Sequence, residues 1–220
     1  MRLCLIFITI FAVGCVRQEC GAVPSPWMPD ETLTVDNRSV TEDSVVFLGD
    51  SLTHINIWQD TFPGVETANQ GVGGNTTAMV LSRLQPIIDA RPKKIFILIG
   101  ANDLNYGVPH EAITEGQRQI IQRIVNGSPS TKVYVQSIFP FGSLARCYFP
   151  QIPSTYKEDI LAINEALKVI CLNYGIYYID LYPMMSDGDN NLKSDYTADQ
   201  IHLEESGYEA WSNHIESLVR

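Results

Sequence analysis

Four separated points of this 220-residue chain carry residue types that together suit one kind of chemistry. Ser51 follows Gly49 and Asp50 at the end of a short apolar run. A serine at a strand-to-helix turn turns its hydroxyl toward a ligand, and its own N–H points out of a helix N-terminus, where negative charge is favoured. Such a serine can act as a nucleophile. His202 could take its proton, and Asp199, three residues earlier, could hold the imidazole in the right tautomer and stabilise the imidazolium. Attack on an ester carbonyl develops an oxyanion, which needs donors fixed in advance. The N–H of Ser51, the unobstructed N–H of Gly74 and the neutral amide of Asn102 would supply three. Each residue alone has a plainer reading as a helix cap or a turn residue.

The elements that must position these residues are legible as alternating patterns. Apolar runs of strand length occupy 44–48, 65–68, 94–99, 132–138 and 176–181. Between and after them, Val80/Leu84/Ile87, Ile113/Ile120/Ile124, Ile160/Ile163/Leu167/Ile170 and Tyr208/Trp211/Ile215/Leu218 recur at helical spacing, with Pro86 expected to kink or end its helix. Near-continuous apolar strands alternating with helices predict an α/β fold, a parallel sheet covered on both faces in a three-layer α/β/α sandwich. Ligands bind such sheets outside the carboxyl ends of the strands. Ser51, Gly74 and Asn102 follow the first three strands, and Asp199 and His202 precede the last helix, so all would converge on one edge.

Rival motifs fail on their spacing. In Gly71-Val72-Gly73-Gly74 the third glycine of a dinucleotide fingerprint is replaced by Thr76, and the motif follows the second strand. The segment from Asp187 to Asn191 has Leu192 and Ala198 where a calcium loop requires Gly and Glu, so it reads as a solvated loop. There is no Gly-x-Ser-x-Gly elbow. His54, one turn after Ser51, reads as a partly exposed surface histidine. A binding module that keeps the fold without turnover is disfavoured, because none of Ser51, Gly74, Asn102 or His202 is lost.

The segments Phe47 to Thr53, Asn69 to Thr76, Gly100 to Asp103 and Asp199 to His202 resemble the four sequence blocks of the SGNH, or GDSL-type, hydrolase superfamily. The resemblance spans Val46 to Trp211. It implies Ser51 as nucleophile, Gly74 and Asn102 as oxyanion donors, and His202 with Asp199 as the base pair. It further implies a five-stranded sheet of flavodoxin-like order 2-1-3-4-5 and no metal or organic cofactor. Asn75 departs from the aspartate usual after the glycine pair. Members with this spacing are similar to carbohydrate O-acetylesterases and platelet-activating-factor acetylhydrolase-like enzymes. The expected reaction is therefore hydrolysis of short acyl esters, acetyl above all, on carbohydrate, with a lysophospholipase or thioesterase activity as the alternative. The 139–156 stretch, through Phe141, Tyr148 and Phe149, is expected to wall the cleft. No insertion is long enough to form an apolar lid or an acyl tunnel.

Composition fits a globular domain, with 45% apolar and 18% charged residues and a net charge of −10 that disfavours nucleic acid and anionic membranes as partners. The expected partner is a small-molecule or oligosaccharide ester. Residues 1–22 have the shape of a signal peptide, because Arg2 precedes an apolar run too short to span a bilayer. Residues 12–15 resemble a lipobox with Cys15 as the lipidated residue, and cleavage after Ala22 is the rival reading. Either makes the protein exported, as a periplasmic, outer-membrane or cell-surface species that meets membrane only through an N-terminal lipid. Residues 23–42 read as a tether and 43–220 as the hydrolase domain. Cys147 and Cys171, the two cysteines of the body, are free to pair or to remain thiols.

Overall fold

The computed structural model describes residues 40–220. The leader with its Cys15, and the tether up to residue 39, lie outside the described residues. In chain order the elements are β1 (Val45–Gly49), α1 (Ser51–Ile55), α2 (Trp58–Thr61), β2 (Thr67–Gly71), α3 (Thr77–Ser82), α4 (Gln85–Ala90), β3 (Lys94–Leu98), α5 (Ala101–Asn105), α6 (His110–Gly127), β4 (Lys132–Gln136), α7 (Ala145–Tyr148), α8 (Tyr156–Tyr174), β5 (Tyr177–Ile179), α9 (Tyr182–Met185) and α10 (Glu205–Val219). A short 3₁₀ turn, Ser194–Tyr196, precedes α10.

The five strands form one parallel sheet of order β2-β1-β3-β4-β5. Successive side chains of a strand point to opposite faces, so each face draws alternate residues. Val46, Leu48, Ile95, Ile97, Val133 and Val135 pack under α3, α4, α6 and α8. Val45, Phe47, Phe96, Leu98 and Tyr134 pack under α2, α9 and α10. The second face is aromatic. Phe47 stacks on Trp58 at a centroid distance of 3.8 Å, and Trp211 meets Trp58 edge-on at 5.0 Å. Both indole N–H groups are satisfied, by Thr53 O at 2.9 Å and Gln136 Oε1 at 2.6 Å.

The sheet order has a consequence for the site. The chain leaves β1 in one direction to make β2, then returns to the far side of β1 to make β3, so loops after β1 and β3 diverge and leave a crevice between them. Gly71 at the end of β2 is needed for a close approach, since a Cβ there would lie 2.3 Å from the His54 nitrogen of α1. At the opposite edge, Lys94 is buried and donates to the Leu218 and Val219 carbonyls, which closes the end of α10.

Differences from the sequence expectation lie at element ends. The second strand is Thr67–Gly71 rather than 65–68, because pairing with β1 rather than apolarity sets its register: Val45 faces Thr67 and Gly49 faces Gly71. β5 pairs over only three residues. The helix expected across Val80 and Ile87 is two helices, with Pro86 in the first turn of α4, where its missing N–H costs nothing. Cys171 is a free thiol buried in α8, so it does not pair with Cys147, which is itself disulfide-bonded.

Trp58→Ala should remove the centre of the aromatic layer and cost about 3–5 kcal/mol, with a lower urea midpoint at unchanged m value. A loss below 1 kcal/mol would mean the layer does not depend on this ring.

Candidate active site

The residues singled out at the strand ends come together at the crevice. Asp50 caps α1, its Oδ1 accepting from Leu52 N at 3.0 Å, and this turn sets Ser51 in the first helical position. Ser51 Oγ lies 2.9 Å from His202 Nε2, and His202 Nδ1 lies 2.6 Å from Asp199 Oδ2. The other Asp199 oxygen accepts from the N–H groups of Ile201 and His202, at 3.0 and 2.7 Å. Burial opposes ionisation of Asp199, but the His202 ring and these two N–H groups outweigh it and hold the carboxyl below its ordinary range. The carboxylate therefore stays charged beside the imidazole. A hydroxyl, an imidazole and a carboxylate in this chain can move a proton off oxygen and stabilise the resulting imidazolium.

The loop carrying the histidine is strained. Gln200 is a non-glycine residue at φ +77°, a conformation that costs about 1 kcal/mol or more. Its carbonyl accepts from Gly142 N at 2.6 Å and its Oε1 from Leu144 N at 3.0 Å. A Cβ on Gly142 would collide with the Gln200 side chain at 2.3 Å. The wall segment after β4 is thus fastened to the histidine loop two residues before His202.

Gly74 adopts φ +75° and Asn75 N closes the turn on Val72 O at 3.1 Å. Asn102 Nδ2 donates to the Asn75 carbonyl at 3.0 Å, which leaves its second N–H for a ligand. Asp103 ties the same two segments together, accepting from Thr77 N at 3.0 Å and Thr77 Oγ1 at 2.6 Å.

A cavity of about 40 Å³ opens beside Ser51, Asn102 and His202, walled by Phe141, Phe149 and Ile201. Gly74 does not line it; the glycine reaches the site through Asn75 and Asn102. Tyr148, expected as a wall residue, is not on the wall either. It closes the single turn of α7, and Phe149, the next residue, turns away into the crevice. Phe141 is held by Tyr156, stacked at 5.6 Å. His54 lies outside the cavity wall.

Sequence reading had assigned no role to Arg83, Asn105, Ile201 or Asp50. Asn105 lines the cavity and accepts from Gln151 Nε2 at 2.8 Å, joining α5 to the wall segment. The 187–191 loop, read from the sequence as a solvated loop, closes on itself, Asp187 Oδ1 accepting from Asp189 N and Asn191 N. Among the described residues, no group of three His, Cys, Asp or Glu side chains is placed to hold a metal ion, and no helix is long and apolar enough to cross a membrane.

A model of the GDSL-like lipase/acylhydrolase family matches residues 47–210. Among known proteins, the chain is similar to platelet-activating factor acetylhydrolase IB subunit alpha1 of Bos taurus, 28% identical over 200 residues that cover 88% of this chain and 82% of that one. Its fold is similar to that of a GDSL-like lipase from Bacteroides thetaiotaomicron, with a TM-score of 0.71 at 22% identity over 81% of this chain and 88% of the other. A catalytic mutant of an acetylxylan esterase from Geobacillus stearothermophilus has the same fold, with a TM-score of 0.63 at 14% identity over 82% of this chain and 95% of the other.

Asp50 carries a testable cost. Its Oδ2 is buried and accepts no hydrogen bond from any described residue. Burial pushes its pKa up to about 7, against the lowering by Leu52 N–H and His202 and with the help of Asp103. The folded chain then keeps a proton that the unfolded chain releases. Stability from this group is complete below about pH 4, falls as pH rises toward about 7, and stays lost above it. Asp50→Asn keeps an acceptor for Leu52 N–H and carries no charge. Relative to the parent it should gain about 2–4 kcal/mol at pH 8, from about 1.4 kcal/mol per pKa unit, and nothing at pH 4. Urea unfolding at both pH values checks this, and an equal difference at the two would rule it out.

Proposed function

Because the chain belongs to the GDSL-like lipase/acylhydrolase family, and is thus a carboxylic ester hydrolase, we propose that it removes acetyl and other short acyl groups from carbohydrate hydroxyls through Ser51, His202 and Asp199. In this reading His202 Nε2 accepts the Ser51 proton as Oγ attacks the ester carbonyl. The carbonyl oxygen becomes an oxyanion facing the N–H of Ser51 and the free N–H of Asn102, with the N–H of Gly74 supplied from the turn beside the cavity. The imidazolium, held by Asp199, then gives its proton to the departing alcohol oxygen as the C–O bond breaks. Water, deprotonated by His202, attacks the acyl-serine in the same geometry and releases the carboxylate with Ser51 restored. Asp199 stays ionised throughout, which its depressed pKa favours.

The size of the acyl cavity carries the substrate reading. A water-sized group occupies about 10–15 Å³ on this measure, so about 40 Å³ admits roughly three such groups beside Ser51. That suits an acetyl group, and a longer chain would have to leave through the open side of the cavity. Phe141, Phe149 and Ile201 make the wall apolar, as an acyl methyl requires. Relatives named as an acetylhydrolase and an acetylxylan esterase specify the same acyl group. The −10 net charge disfavours anionic lipid interfaces, and export through residues 1–22 would bring the enzyme to polymers outside the cell.

Ser51→Ala and His202→Ala should each lower kcat by several orders of magnitude with the thermal transition unchanged. Activity within tenfold of the parent would remove the assignment. On model esters the parent should be fastest at C2 to C4 and fail by C8, with acetate released from acetylated oligosaccharides. Phe149→Ala should enlarge the cavity and raise kcat/KM for hexanoyl or octanoyl esters relative to acetyl by at least about tenfold. A parent profile peaking at C8, with no acetate released from sugars, would favour the lysophospholipase or thioesterase alternative.

A further inference from the structure

Among the described residues, Arg83 is a cation whose donors run into the loops of the site, and the reaction steps make no use of it. It follows α3 as its C-cap and turns back under the crevice. Its Nε donates to Asn75 Oδ1 at 2.8 Å. One of its Nη groups donates both to the Gln70 carbonyl, at 2.8 Å, and to the Gly49 carbonyl, at 3.1 Å. Burial lowers the pKa of the guanidinium. Among the described residues it forms no ion pair, because an amide rather than a carboxylate receives Nε.

The three acceptors belong to the parts that carry the proposed oxyanion donors. Gly49 is the last residue of β1, two before Ser51. Gln70 is near the end of β2. Asn75 follows Gly74, and its carbonyl receives Asn102 Nδ2 from the end of β3. A chain of bonds therefore runs from β1 and β2 through Arg83 to the Gly74 turn, and through that turn to Asn102. We infer that Arg83 is the positioning residue of the oxyanion hole, holding the Gly74 turn and, through Asn75, the Asn102 amide in register with the strand that delivers Ser51.

The physical need is specific to this site. The N–H groups that face an oxyanion must stay unpaired in the resting enzyme, so their direction is set by contacts of the neighbouring atoms, as the Asn102–Asn75 bond sets that of the second Asn102 N–H. A misplacement near 1 Å can lower a rate by about 10²-fold. The planar guanidinium offers donors in fixed directions and spans three acceptors, whereas a lysine ammonium can satisfy fewer of them and with no fixed geometry. The Asn75 side chain then has a function, since its Oδ1 receives the Arg83 Nε.

This inference rests on the oxyanion reading of the proposed function, and Asn102→Ala serves as the separate control for that reading. The control should lower kcat by about 10²–10³-fold with little change in KM. Arg83→Lys and Arg83→Met should each lower kcat by at least about tenfold, with KM and the acyl-length profile within threefold of the parent. Methylboronic acid, whose boron accepts the Ser51 oxygen and presents a tetrahedral anion to the donors, should bind more weakly in the same proportion. Asn75→Ala cuts only the Nε contact and should act in the same sense, and it carries the test where Arg83→Met fails to fold. The double variant Arg83→Lys, Asn75→Ala should fall no further than the poorer single variant. If Asn102→Ala loses activity as expected while Arg83→Lys matches the parent in kcat and in boronate affinity, the positioning role is overturned and the oxyanion reading stands. Loss of kcat with unchanged boronate affinity also overturns it. No loss in Asn102→Ala overturns the oxyanion reading itself.

Discussion

The hydrogen bond between Ser51 Oγ and His202 Nε2 joins residues 151 positions apart, and most of the tertiary structure acts on that one distance. Ser51 is fixed by β1, which lies between β2 and β3 in the sheet. His202 is fixed by a strained loop leading into α10. Three contacts lock α10 to the rest: Trp211 on Gln136 at the end of β4, Lys94 on the carbonyls of Leu218 and Val219, and Tyr208 Oη on Leu52 O at 2.8 Å. The last is the most direct, since Leu52 is the residue after Ser51. A helix that slid along the sheet would have to break all three, so the loop that holds the imidazole is itself anchored to a rigid layer.

Holding reactive groups at a strand edge has an energetic consequence. Charged side chains there are buried or desolvated. Asp50 has a bare carboxyl oxygen, Asp103 is pushed up by burial against the bonds from Thr77, and Arg83 is desolvated. Each would be cheaper as an apolar side chain elsewhere in the core. These three lie at the carboxyl edge of the sheet near Ser51, while the aliphatic and aromatic layers on its two faces supply the stabilising burial.

The cavity beside Ser51 is walled in part by a segment that belongs to neither helical layer. From Phe141 to Ile152 the chain is tied at one end to Gln200 and at the other to Asn105, through Gln151. Arg146 Nε closes it internally on the Ile152 carbonyl at 3.2 Å. Phe149 projects from this strap into the crevice, so the width of the cavity is set by a loop while Ser51 and Asn102 are set by the sheet. Cavity dimensions can therefore change without moving Ser51, His202 or Asn102.

The sequence alone determined the α/β alternation and which residues fall at strand ends, because apolar runs and helical spacing are local and each strand end is adjacent in sequence to what it carries. Asp199 and His202 were legible as a pair for the same reason, being three residues apart. The sheet order came from family resemblance, since nothing in the periodicity of β1, β2 and β3 says which two flank the first. Only the tertiary structure decided what lies behind the site. Arg83 reaches acceptors 8, 13 and 34 residues away, and no local pattern marks a carbonyl near the end of a strand as the acceptor of a distant guanidinium. Tyr148 and Phe149 are neighbours of similar character, and which of them enters the crevice depends on where a single helical turn stops. The burial of Asp50 and the volume beside Ser51 are of the same kind: both are properties of the space between elements, and that space exists only once the elements have packed.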